Sequence, residues 1–226
     1  MRRCDSATVV ALCNRWFLYS FFGRLFAAEP DGDLLELVEG DHLAEECSML
    51  DAADQQVGKI LCFRARGSVL DRETDLEALV GEYTKLMIGP GKVPAPPWES
   101  IYVSREPLLF QESTLEVREA YAAAGFEAAG YPREADDHLA TELNFMAALA
   151  DRAVRAYESE DIEVYEDALR AQSRFLKNHL LVWIHEFSDR MNDVDGISSF
   201  YPSFASLAAL VCERDAGVIE ELLAEL

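Results

Sequence analysis

The stretch DDHLATELNFMAALADRAVRAY, residues 136–157, decides how this chain folds. After two aspartates and a histidine, Leu139, Leu143, Met146, Ala150, Ala153 and Tyr157 recur at spacings of three and four. That period puts the apolar side chains on one face of an α-helix and the charged ones on the other. An acidic side chain ahead of the first apolar residue supplies what a helix start needs, an oxygen for the free N–H groups of the first turn. The stretch therefore predicts a long amphipathic helix opened by an Asp cap, with His138 in its first turn.

The same period extends in both directions. Toward the C-terminus, Asp161 is placed to cap a long helix through Leu169, Phe175, Leu176, Leu180, Trp183 and Phe187, and a helical pair is expected from about Tyr201 to Leu226. Toward the N-terminus, residues 131–137 read as a loop. Before it, Ser113-Thr114-Leu115-Glu116 has the spacing of a capping box, opening a helix that stops near Gly125. Residues 89–98, Gly-Pro-Gly-Lys-Val-Pro-Ala-Pro-Pro-Trp, hold four of the chain's eight prolines and are excluded from helix and central strand alike, which leaves a stiff extended loop. Thr74-Asp75-Leu76-Glu77 is a second capping box, leading a helix with Leu79, Tyr83, Leu86 and Met87 on one side. Short helices are expected around Leu34–Val38 and Asp41–Leu50. A first helix, capped by Asp5 or Ser6, carries Leu12, Trp16, Phe17, Phe21 and Leu25 and ends before Pro30. Val57–Phe63 is the nearest thing to a strand, and a short helix suits it equally. The expected class is all-α: a single compact multi-helix bundle over residues 1–226, whose N-terminal lobe (1–130) and C-terminal lobe (138–226) would meet at the loop 131–137.

The chain carries 42 acidic against 20 basic residues, a net charge of −22, with half its residues hydrophobic. Such a field repels nucleic acid and anionic membrane and attracts cationic partners. The five cysteines are scattered and never spaced as C-x-x-C, which reads as free thiols in a reducing compartment. Arg2-Arg3 is not followed by the apolar run of a signal peptide. The aromatic run 16–22 lies between Arg15 and Arg24, short of the roughly 20 residues of a membrane span. A cytoplasmic protein without stable membrane insertion is expected.

Few residues have the pattern of catalysis. Gly89-Pro90-Gly91-Lys92 resembles part of a phosphate loop, but Val93 replaces the hydroxyl and Pro90 lacks an N–H. No G-x-S-x-G elbow is present. His138 and Glu142 share a helical face beside Asp137, so a metal-dependent hydrolase using His138, Glu142 and Asp137 is the alternative from the enzyme class, although the other histidines lie far away in sequence. These residues by themselves leave two readings open: a groove for a cationic, partly apolar peptide, or an inert bundle.

Glu82-Tyr83-Thr84-Lys85-Leu86-Met87-Ile88-Gly89-Pro90-Gly91, followed by Pro94 to Tyr102 (PAPPWESIY), resembles the first signature of the TorD/DmsD/NarJ family of redox-enzyme maturation chaperones. Glu134-Ala135-Asp136-Asp137-His138-Leu139 is similar to the second, with Ala135 where the family usually has proline. Gly91 and Ala27-Ala28 depart from the aromatic residues of some relatives. The likeness runs from about Leu25 to Phe187. It implies an all-helical, non-catalytic chaperone, in the TorD/DmsD branch, with no cofactor of its own. It further implies binding of the twin-arginine leader and apo form of a molybdopterin oxidoreductase, as a monomer or domain-swapped dimer. The leader-binding surface implied is Tyr83, Leu86, Met87, Trp98, Tyr102, Glu134, Asp137 and His138. In that picture Glu134 and Asp137 hold the guanidinium groups by paired charge-assisted bonds, and the apolar residues take the greasy part of the leader.

Overall fold

The computed structural model describes residues 6–49, 56–70, 75–104, 111–130 and 135–226. Its helices are α1 (Ser6–Ala27), α2 (Gly32–Glu39), α3 (Asp41–Ser48), α4 (Val57–Leu70), α5 (Leu76–Tyr83), α6 (Ser100–Val103), α7 (Glu112–Ala123), α8 (Leu139–Glu158), α9 (Ile162–Phe175), α10 (Leu181–Asn192) and α11 (Phe200–Ala224). Two π-helical segments, Thr84–Ile88 and Leu176–Leu180, continue α5 and join α9 to α10. Among the described residues no strand forms, and the all-α class read from the periodicity holds.

Helix α8 lies at the centre because its apolar face is broad: Leu139, Leu143, Met146, Leu149 and Ala153 are fully buried. It packs between α1 and α9, while α11 packs against α4 and α10. Small residues set the closest approach. A Cβ on Gly23 of α1 would stand 2.2 Å from the Asn144 side-chain oxygen of α8, so glycine there lets the two helices touch. Aromatic rings knit the layers edge to face, Phe21 with Phe204 at 5.2 Å and Phe26 with Phe187 at 5.8 Å. Phe21, Trp183 and Phe187 are core residues, as their spacing indicates, and Phe17 is half-buried against His42.

The helix ends differ from the sequence reading in instructive ways. Asp75, not Thr74, caps α5, its carboxylate accepting the Ala78 N–H at 2.9 Å; Thr74 lies outside the described residues. Ser113 and Thr114 sit inside the first turn of α7, which begins at Glu112, so the expected box does not form; the Thr114 hydroxyl is drawn to a more distant carboxylate. Asp161 does cap α9, accepting from Val164 N–H at 3.2 Å. Val57–Phe63 is helical. The C-terminal pair is one continuous helix, α11. Its buried positions Phe204, Leu207, Val211, Cys212, Ile219 and Leu222 keep one face along the whole length. Gly217 costs that helix only about 1 kcal/mol, too little to break it. Among the described residues no helix is long and apolar enough to cross a membrane.

Candidate functional site

The two loops that carry the sequence signatures meet. Leu139 N–H donates to the Pro97 carbonyl at 2.9 Å and Glu99 N–H to the Asp137 carbonyl at 3.0 Å, so Trp98 and His138 pair as an isolated antiparallel bridge. The Trp98 indole stands edge-on to the His138 ring at 5.4 Å. A proline-stiffened segment has few N–H groups to offer, and the chain uses those at its far end, where prolines stop.

Each residue of Asp136-Asp137-His138 has a separate task. Asp136 takes a forked pair of bonds from Arg118 of α7, at 2.8 and 2.6 Å. Asp137 is fully buried; its carboxylate accepts the Ser100 N–H at 2.8 Å and the Thr114 hydroxyl at 3.1 Å, tying α6 and α7 to the start of α8. His138, rather than an aspartate, is the cap of α8: its Nδ1 accepts the Ala140 N–H at 3.1 Å. An acceptor nitrogen must be unprotonated, and burial lowers the His138 pKa to about 4, against a smaller opposing pull from Asp137.

The sign of the resulting pH effect is set by that lowering. The unfolded chain binds a proton at His138 near pH 6.5 and the folded chain only near 4, so the contribution is complete above about 6.5 and fades as pH falls toward 4. After discounting for the ring's partial exposure, about 2 kcal/mol is at stake. The variant His138→Asn, which caps without titrating, is expected to lose that part of the acid sensitivity when unfolding is compared at pH 7 and 4.5. An unchanged difference would contradict the cap assignment.

Beneath the bridge lies a buried group whose Glu99–His179 pair sequence reading missed. Glu99, next to Trp98, pairs with His179 of the second π-helical segment at 3.1 Å, and Glu142 of α8 accepts the Trp183 indole N–H at 3.3 Å. Burial, with the charges of Glu99 and Asp137 beside it, pushes the Glu142 carboxyl well above the usual carboxylate range. Burial also raises Glu99, and His179 opposes that rise. The only signal available in the sequence was the position of Glu99 beside Pro-Pro-Trp; its partner stands 80 residues away.

The remaining sequence candidates divide by depth. Tyr83, Leu86 and Met87 are core residues, and the Tyr83 hydroxyl donates to the Phe26 carbonyl at 3.3 Å. They anchor the segment that feeds the proline loop. Glu82 beside them caps the turn before α11, accepting from Ser198 N–H at 2.6 Å and from its hydroxyl at 2.8 Å. Gly89 then turns the chain with φ +97°, where a Cβ would meet Gly91 N at 3.2 Å. Trp98 and Tyr102 are half-buried; Tyr102 lies against Trp183 at 5.2 Å, with the Arg190 guanidinium over its ring at 4.3 Å. Glu134 lies outside the described residues. Beside Trp98 opens a groove of about 670 Å³ lined by Val93, Pro94, Pro96 and Ile101, with Lys92 and Arg190 at its edge. The hydrolase alternative finds no support in the geometry: both Asp137 oxygens are spent on Ser100 and Thr114, His138 Nδ1 on the Ala140 N–H, and Glu142 Oε2 on the Trp183 indole. Among the described residues no cluster of His, Cys, Asp and Glu has the arrangement of a metal site.

Comparison with known proteins agrees with this architecture. The profile of the family described as nitrate reductase delta subunit matches residues 51–189. The chaperone protein TorD of Vibrio parahaemolyticus is 27% identical over 209 residues, covering 89% of this chain and 93% of that one. The Tat proofreading chaperone DmsD of Salmonella paratyphi A is 31% identical over 134 residues, 59% of this chain and 58% of the relative. Among solved structures, a redox enzyme maturation protein from Archaeoglobus fulgidus superposes with a TM-score of 0.51 at 22% identity, over 88% of this chain and 93% of that one, and shares the fold. With the profile spanning more than half its length, the chain belongs to the nitrate reductase delta subunit family, in the branch that holds the TorD and DmsD chaperones.

Proposed function

We propose that this protein is a cytoplasmic chaperone that binds the twin-arginine leader of a molybdopterin oxidoreductase and holds the apo-enzyme until its cofactor is inserted. It does no chemistry of its own. The observation that carries the reading is the Trp98–His138 bridge, which brings both signature segments to one place beside an apolar groove.

In this reading the apolar part of the leader lies along Trp98, Ile101 and the proline faces, where stiff side chains lose little freedom on binding. Tyr102 and His138 border the leader. Tyr83, Leu86 and Met87 act from within, fixing the start of the loop. Of the two anions suggested by the sequence, Asp137 already has both oxygens engaged and serves to position the bridge. Glu134 is left as the guanidinium partner. The net charge of −22 speeds the encounter with a basic leader.

Titration calorimetry with a synthetic twin-arginine leader and its Lys-Lys version tests the reading. The arginine form is expected to bind at least about tenfold more tightly, because lysine cannot make the forked bond. Trp98→Ala is expected to weaken binding by about 1–3 kcal/mol at unchanged fold. Equal affinity for the two leaders would refute the guanidinium part, and an indifferent Trp98→Ala the groove part.

A further inference from the structure

A second cavity, of about 370 Å³, lies between α7, α8 and α9, and none of its lining residues belongs to the Trp98 groove. Among the described residues most arginines are paired with a carboxylate. Arg15, Arg24, Arg66, Arg118, Arg155, Arg170 and Arg190 all have one. Arg64 and Arg214 have none among the described residues, and neither do the two arginines that stand together in the lining of this cavity. Arg152 gives Nη1 to the Ala124 carbonyl at 2.9 Å and stacks over Phe126 at 4.6 Å, and Arg174 has no carboxylate partner among the described residues. The cavity floor is the Phe145–Phe175 pair, edge to face at 4.8 Å, and Ala120, Ala124 and Ala171 leave the space between the helices empty. Asp167 and Asn178 complete the polar wall.

We infer that this cavity binds a carboxylate carried on a short apolar peptide segment, so that the chaperone has a second peptide contact of opposite sign to the leader site. Two guanidinium groups without carboxylate partners above an aromatic floor suit a carboxylate next to an apolar side chain, since the fork geometry of arginine matches two carboxylate oxygens. Asp167 disfavours a doubly charged anion and offers an acceptor to peptide N–H groups. Asn178 offers a donor to peptide carbonyls. The carboxylate can come from an acidic side chain or from a chain terminus, and the chemistry is the same. The inference stands whether or not the leader reading does.

The test is NMR titration of the full chain, following the Arg152 and Arg174 Nε–H and Asn178 side-chain signals. Three probes are used: acetyl-Leu-Phe-Asp-amide, acetyl-Leu-Phe with a free terminal carboxylate, and acetyl-Leu-Phe-Asn-amide. At least one of the two acids is expected to shift these signals saturably, and which one does so identifies the source of the carboxylate. The neutral peptide should not. Arg174→Gln, at an exposed position, should weaken the acid about tenfold, and Ala171→Phe should abolish its binding by filling the cavity, both leaving twin-arginine leader affinity unchanged. The proposal is overturned if neither acid binds, if the neutral peptide binds equally, if Arg174→Gln has no effect, or if inorganic phosphate shifts the same signals at lower concentration than either peptide. Should Ala171→Phe not fold, the Arg174→Gln comparison decides alone.

Discussion

Replacing Asp215 by alanine is expected to cost about 3–5 kcal/mol of folding stability. Asp215 lies on α11 with 3% of its surface exposed. Its carboxylate accepts from Arg15 Nε, from Arg15 Nη2 at 3.1 Å and from the Tyr19 hydroxyl at 2.8 Å. Arg15 in turn donates to Gln172 at 2.8 Å, and Gln172 to the Met146 carbonyl at 3.1 Å. One anion thus joins α1, α11, α9 and α8. Removing it leaves a guanidinium in the core with no counter-charge, and a domain of this kind has only about 5–15 kcal/mol in all. Urea unfolding at pH 7 is the measurement. The paired change Arg15→Met with Asp215→Leu should recover most of the loss, because the penalty comes from stranding one charge rather than from lacking the pair. A loss below about 1 kcal/mol for Asp215→Ala would show that water reaches Arg15.

Asp137→Ala comes second, at about 2–4 kcal/mol, since it orphans the buried Ser100 N–H and Thr114 hydroxyl together. Thr114→Val removes the smaller half and should cost about 1 kcal/mol. Asp137→Asn separates structure from recognition. It retains an acceptor for Ser100, so stability should fall by about 1–2 kcal/mol while leader affinity, per folded molecule, stays within about twofold. Were Asp137 a direct guanidinium partner, the pattern would reverse, with affinity dropping and stability spared. Calorimetric binding and urea unfolding on the same preparations distinguish the two.

Much of this molecule is legible from residue order because it is local. The face of α8, the cap at Asp161 and the arrest of helix by Gly89 to Pro97 each depend on residues within a few positions of one another. Where local signals compete, the sequence is less decisive. Thr74 and Asp75 are both good caps, and Ser113 has the spacing of a capping box yet sits inside the first turn of α7, where its neighbour Thr114 turns its hydroxyl to Asp137, 23 residues on. The signature residues were found as a pattern, but their individual roles were not. Tyr83, Leu86 and Met87 are core, Asp137 is a buried tie, and His138 is a helix cap.

The sequence by itself determined that the chain is helical, where most helices run, and that two loops matter, because apolar period, caps and prolines act through the nearest neighbours along the backbone. Only the tertiary structure decided which charges are spent and which are left over. Glu99 finds His179, Asp215 finds Arg15, and Arg152 and Arg174 find no acid among the described residues. A charge is neutralised by whatever lies within a few ångströms in space, and packed helices set that distance without regard to separation along the chain.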